Sequence, residues 1–188
     1  MATVKDVAAS LITDRLALRR LTSEDLDLLD RLHSDPVVTR YVGGVKTRAQ
    51  TEAMLKTRIL EYYEKFPGLG VWATIERASG ACIGIHLLNH IQGESYIQVG
   101  YVLFSPYWGR GYATEMTVAL LRYGFGELGL PAIFAITDLP NVASQRVLLK
   151  AGLERKGERS FAHPAYAASG LLAWFEGEAE RWLASHPE

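Results

Sequence analysis

Two glycines, Gly109 and Gly111, sit where chemistry is easiest to place, in the run Trp108-Gly109-Arg110-Gly111-Tyr112-Ala113-Thr114. Before them Ile97, Val99, Tyr101 and Leu103 alternate with other side chains, the period of a strand. After them Ala113, Met116, Leu120 and Tyr123 recur three and four apart, the spacing of one helical face. A strand thus enters a glycine turn and the turn opens a helix. Glycine lets the backbone approach a bound group, and the first helical turn offers N–H groups with no partner inside the helix. The pattern suits an anion, most naturally a phosphate. The competing reading is a tight turn that binds nothing. A second stretch, Asn141 to Leu153, favours a site: Asn141 and Ser144 stand one helical turn apart, and Gly152 closes the helix they open.

The familiar nucleotide signatures do not fit. A P-loop needs Gly-Lys-Ser or Gly-Lys-Thr, which is absent. The dinucleotide fingerprint needs three glycines after the first strand, but this turn lies past mid-chain and its third position is Thr114.

Taken together, three stretches resemble the GCN5-related N-acetyltransferases. Residues 108–113 resemble the acetyl-CoA pyrophosphate loop, whose pattern is Arg/Gln-x-x-Gly-x-Gly/Ala, although Trp108 stands where that family usually has Arg or Gln. Asn141-x-x-Ser144-x-Arg146-Val147-Leu148-x-Lys150-x-Gly152 is similar to the downstream helix of the branch that acetylates ribosomal-protein N-termini, and Thr13-Asp14-Arg15-Leu16-Ala17-Leu18-Arg19 to that branch's opening strand. The resemblance spans residues 11–184. It implies an acyl-CoA N-acyltransferase fold, with a mixed, mostly antiparallel central sheet and helices on both faces, and acetyl transfer from acetyl-CoA to an amine.

Site residues follow from that resemblance. The pyrophosphate lies on backbone N–H groups of Gly109, Arg110, Gly111, Tyr112, Ala113 and Thr114, with Trp108 beside the pantetheine or merely packed. Unpaired backbone groups of Tyr101, Val102 and Leu103, splayed at Gly100, hold the pantetheine and the acetyl carbonyl, as an oxyanion donor does in other acyl transfers. Asn141 bonds the pantetheine or the acceptor, or serves as a plain N-cap. Ser144 protonates the leaving thiolate, or bonds the backbone as a helix-start serine. The tyrosine acid that other branches carry seven residues after the asparagine is Leu148 here. No base carries over, because Gln98 replaces the glutamate often found in the central strand; water, Asp138, His163 and Tyr166 remain. His86 and His90 fall in a strand with no glutamate between, which argues against zinc. The alternative to an enzyme is a non-catalytic acyl-CoA-binding or sensing module, for which Gln98 and Leu148 are the best arguments.

The elements that must position these groups can be read in order. A strand over 11–20 buries Leu16 and Leu18, with Arg15 and Arg19 on the other face. Thr22-x-x-Asp25 and Thr47-x-x-Gln50 are capping boxes opening two helices. The second helix runs to about residue 65, with Leu55, Ile59 and Tyr62 inward. Strands follow over 70–76, 81–89 and 95–104, a helix over 112–127, a strand over 132–138 and the Asn141 helix. Strands over 153–161 and 171–175 and a terminal helix over 176–184 complete one N-acetyltransferase domain, 11–184, after a loose arm, 1–10. The composition suits a globular chain of 188 residues, 48% apolar, with 20 basic against 21 acidic residues and net charge −1. That balance argues against general nucleic-acid binding. Cys82 is the sole cysteine, which excludes a disulfide framework and suits a reducing compartment. Neither a signal peptide nor a membrane-length apolar run is visible, so the expectation is a cytoplasmic monomer or homodimer acting on a small-molecule or peptide amine.

Overall fold

The structure, a computed structural model, describes residues 11–187; the arm expected over 1–10 lies outside the described residues. The elements are β1 (Leu16–Arg20), α1 (Leu26–Ser34), α2 (Arg48–Met54), α3 (Glu61–Lys65), β2 (Gly70–Glu76), β3 (Cys82–His90), β4 (Ile97–Leu103), α4 (Tyr112–Arg122), β5 (Ala132–Asp138), α5 (Val142–Lys150), β6 (Glu154–Arg159), β7 (Leu172–Glu178) and α6 (Ala179–Ser185). Seven strands form one mixed sheet in the order β1-β2-β3-β4-β5-β7-β6. The β1–β2, β5–β7 and β6–β7 pairs are antiparallel, and β4 runs parallel to β5 with Gln98 opposite Phe134. This is the mixed, mostly antiparallel architecture that the sequence pattern implies.

The chain divides into two compact units, one comprising residues up to Leu87 with Tyr101–Tyr112, the other Leu88–Gly100 with the remainder. In the first, Leu16 and Leu18 of β1, Leu29 and Leu32 of α1, Leu55, Ile59, Trp72 and Ile83 are buried. Both capping boxes form. The Thr22 hydroxyl accepts from Glu24 N–H while Asp25 accepts from Thr22 N–H, and Thr47 and Gln50 exchange bonds in the same way. In the second unit Leu88, Val99, Met116, Leu120, Ile133, Leu148, Phe175 and Trp182 are buried. Gly152, at φ +90°, ends α5 in a Schellman turn, with its own N–H on Leu149 O and Leu153 N–H on Leu148 O, both 3.1 Å.

Two boundaries and one inward-facing residue differ from the sequence reading. The first strand starts at Leu16, not residue 11, because the chain before it doubles back: Thr13 N–H meets Leu16 O at 2.8 Å and Leu18 N–H meets Leu11 O at 2.9 Å. The last strand continues to Glu178, since it pairs along its length with β5. The inward tyrosine of the second helix is Tyr63, with Tyr62 half-buried. The cause is a π-helical stretch, Leu55–Leu60, between α2 and α3, with Glu61 N–H reaching back to Lys56 O. A π turn holds more than 3.6 residues, so the buried stripe steps in fours through Thr51, Leu55, Ile59 and Tyr63. The Tyr63 hydroxyl then accepts from Leu21 N–H at 3.1 Å and donates to Val71 O, tying the helix to both flanking strands.

Candidate active site

The glycine loop grows out of the end of β4. A 3-10 turn, Ser105–Tyr107, with Pro106 near its start, redirects the chain. Trp108 follows, its N–H on Ser105 O at 3.1 Å, and its indole Nε1–H donates to Leu103 O at 2.8 Å. The ring itself stays 48% exposed. Gly109 and Gly111 have φ of +73° and +81°, backbone that side chains rarely adopt, so the glycines are conformationally required. Among the described residues a Cβ at Gly109 would meet no atom within 4 Å, which leaves open space above the loop. Arg110 is exposed, its guanidinium 5.5 Å from the Tyr107 ring. Tyr112 then starts α4, whose first N–H groups form the positive end of the helix dipole.

The sequence reading missed what holds this loop. Arg15, just before β1, donates from Nη1 to Arg110 O at 2.9 Å and lies 4.6 Å over the Tyr112 ring. Its Nη2 is 3.4 Å from where a Gly111 Cβ would stand. The Tyr112 hydroxyl donates to Glu76 at 2.5 Å, and Ser79 donates to the same carboxylate at 2.6 Å. These two bonds, Ser79's first, hold the Glu76 carboxyl below its ordinary range, while the bond to Glu76 raises the Tyr112 phenol. Arg77 fixes the turn that carries Arg15, with Nη1 on Thr13 O and Asp14 O at 2.8 and 2.9 Å and its own N–H on Arg15 O at 2.9 Å. Arg15, Glu76, Arg77 and Ser79 lie 30 or more residues from the loop in sequence; Arg15 falls in the Thr13–Arg19 stretch, but nothing local to it or to the others ties them to the loop.

At the end of β4, Leu103 is buried and Tyr101 and Val102 are half-buried. β3 approaches closely at Gly84, where a Cβ would fall 2.7 Å from Leu103 Cα, and Phe104 N–H bonds Ile83 O at 2.9 Å. His86, fully buried in β3, shares a 2.7 Å hydrogen bond with the Thr74 hydroxyl and stands 5.6 Å from the Tyr101 ring. Arg31 of α1 lies 5.7 Å over the Phe104 ring.

In the second unit Asn141 is the N-cap of α5, its Oδ1 accepting from Ser144 N–H at 3.2 Å and its backbone N–H bonding Asp138 O at 2.9 Å. Ser144 is half-buried and Leu148 buried. Asp138 ends β5, and burial raises its carboxyl above the ordinary range against a hydrogen bond from Ser169. Two other base candidates hold the 161–170 loop together. His163 Nδ1 accepts from Ala165 N–H at 3.1 Å, and the Tyr166 hydroxyl accepts from Gln92 N–H at 3.1 Å. Gln98 donates to Asn89 Oδ1 at 3.4 Å. Cys82 is half-buried, its thiol raised by burial. Among the described residues no group of His, Cys, Asp or Glu could hold a metal ion, and no helix is long and apolar enough to cross a membrane.

Comparison with known proteins places this geometry. Residues 15–154 match the Acetyltransferase (GNAT) domain. The uncharacterized N-acetyltransferase YoaA of Bacillus subtilis is 35% identical over 153 residues, covering 78% of this chain and 84% of its own. A crystal structure of an acetyltransferase from Agrobacterium tumefaciens superposes with a TM-score of 0.76 at 25% identity, over 89% of this chain and 92% of that one. The fold is also that of spermidine N-acetyltransferase from Vibrio cholerae, solved with CoA and spermine, at TM-score 0.72 and 16% identity over 91% of this chain and 99% of that one. With its glycine loop at the start of α4 and its mixed seven-stranded sheet, the chain belongs to the GNAT family and is an acetyltransferase.

Proposed function

We propose that this acetyltransferase takes its acetyl group from acetyl-CoA and delivers it to a primary amine, on a protein N-terminus, an amino acid or another small molecule, with 11–184 acting as one domain. The observation that carries the reading is the loop 109–114: two glycines at positive φ, open space above Gly109, and the cations Arg110 and Arg15 beside it. Backbone N–H groups at a helix start with positive charge nearby suit a pyrophosphate. Tyr101, Val102 and Leu103 offer main-chain groups to the pantetheine. Trp108, whose indole N–H already bonds Leu103 O, orders that strand end and presents its exposed ring to the cofactor arm.

The chemistry is a direct attack. The neutral amine adds to the thioester carbonyl carbon and its nitrogen gives up a proton to a base; the C–S bond breaks, the sulfur takes a proton from the Ser144 hydroxyl, and Ser144 regains one from solvent as the base releases its own. Asp138 is the base we favour, since burial raises its carboxyl above the ordinary range in spite of the hydrogen bond from Ser169, and a raised carboxylate holds a proton better than an ordinary one. Asn141 keeps the start of α5, and with it Ser144, in place. Calorimetric titration with acetyl-CoA is the test, followed by thiol release with amino acids, peptides and polyamines. Micromolar binding and amine-dependent release of CoA are expected. Absence of binding in a folded sample would remove the donor; binding without release for any amine would remove the acceptor class.

A further inference from the structure

We infer that Arg15 is a positioning residue for the donor's pyrophosphate, acting through the backbone of the glycine loop; the inference rests on the acetyl-CoA reading of that loop. An anion loop works only if its N–H groups, and not its carbonyls, face the ligand. The Arg110 carbonyl lies between the two glycines and is the group most able to turn the wrong way, because Gly109 and Gly111 leave the peptide planes around it loosely held. Arg15 fixes it with a charge-assisted bond at 2.9 Å from outside the loop. The same guanidinium lies over the Tyr112 ring at 4.6 Å, so it grips the loop on both sides of Gly111.

The grip is itself anchored twice on the turn between β2 and β3. Arg77 holds the turn 13–15 by both its side chain and its backbone. Glu76, steadied by Ser79, holds the Tyr112 hydroxyl. Arg15 itself is exposed, and its guanidinium spans the Arg110 carbonyl and the Tyr112 ring. Its charge, beside Gly111, also raises the local potential for a phosphate.

The experiment compares wild type, Arg15→Gln and Arg15→Lys with two donors, acetyl-CoA and acetyl-pantetheine, which lacks the pyrophosphate. For Arg15→Gln we expect the KM for acetyl-CoA to rise about tenfold with kcat within about twofold, and the turnover of acetyl-pantetheine to be unchanged. Arg15→Lys keeps the charge but loses the planar fork, and should fall between the two. The salt dependence of acetyl-CoA affinity should also flatten in Arg15→Gln. An equal loss for both donors would show a general structural role and overturn the inference, as would an unchanged KM for acetyl-CoA. Failure of wild type itself to bind acetyl-CoA would instead count against the loop reading.

Discussion

His33 builds acid sensitivity into the first unit. It stands in the last turn of α1, 5% exposed, and its Nδ1 has no hydrogen-bond partner among the described residues. A helix C-terminus favours a charged imidazole, and Asp30 pulls the same way, although Asp30 already accepts from Arg48 at 3.2 Å. Burial outweighs both, Lys46 adds repulsion, and the imidazole is pushed down from 6.5 to about 4. The unfolded chain keeps the ordinary value of about 6.5, so between these values it binds more protons than the folded one. Stability from this group is therefore complete above about pH 6.5 and is lost as the pH falls toward 4. At about 1.4 kcal/mol per pH unit the whole gap amounts to about 3 kcal/mol, most of it gone by about pH 4.5. His33→Gln cannot take up the proton. In urea titrations read by the buried Trp72, wild type should lose about 2–3 kcal/mol more than His33→Gln between pH 7.5 and 4.5. Carboxylates are common to both proteins, Asp25 among them with its carboxyl held below the ordinary range by Arg19, and cancel in the difference. Parallel curves for the two proteins, or a His33 ring proton that titrates near the ordinary value, would refute the reasoning.

Four further outcomes follow from the geometry. Gly111→Glu should abolish acetyl-CoA binding while the fold survives, because it forces a side chain onto a φ of +81° and sets a carboxylate where a phosphate belongs; unaltered affinity in the folded variant would sink the loop assignment. Ser144→Ala should slow transfer with little change in acetyl-CoA affinity, and a wild-type rate would return Ser144 to helix-start duty. Trp108 is 48% exposed while Trp72, Trp174 and Trp182 are at most 8% exposed, so acetyl-CoA should change tryptophan emission in wild type and not in Trp108→Phe. Tyr63→Phe strips a partner from two backbone groups, Leu21 N–H and Val71 O, and should cost about 1–3 kcal/mol in chemical denaturation; a cost near zero would mean water replaces the hydroxyl.

Much of this was legible in the chain because the signals are local. Thr22 to Asp25 and Thr47 to Gln50 declare their helices within four residues, and Gly109 and Gly111 declare a turn because no other residue takes their φ easily. Asn141 and Ser144 read correctly as a helix start for the same reason. What stayed hidden is either long-range or a change of period. Arg15 meets the loop across 95 positions of sequence, and its partner is a backbone carbonyl, which leaves no trace in residue type. A spacing of 3.6 residues per turn throughout points to Tyr62, whereas the π-helical stretch brings Tyr63 inward. The outward alternation of Arg15 with Arg19 was visible, but not its consequence, since Arg19 goes to Asp25 at 2.7 Å and Arg15 to the loop.

The π stretch at Leu55–Leu60 bears on how this chain tolerates gain and loss of single codons. The buried stripe of Thr51, Leu55, Ile59 and Tyr63 steps by four each time, one residue more over three turns than an α-helix wants. Removing one of the exposed residues Lys56 or Thr57 would move Ile59 and Tyr63 to three and seven places after Leu55, an ordinary α-helical stripe. The shortened helix would still bury the same side chains and still bring the Tyr63 hydroxyl to β1 and β2. Helix interiors usually reject deletions; here the surplus residue marks the place where one should be accepted.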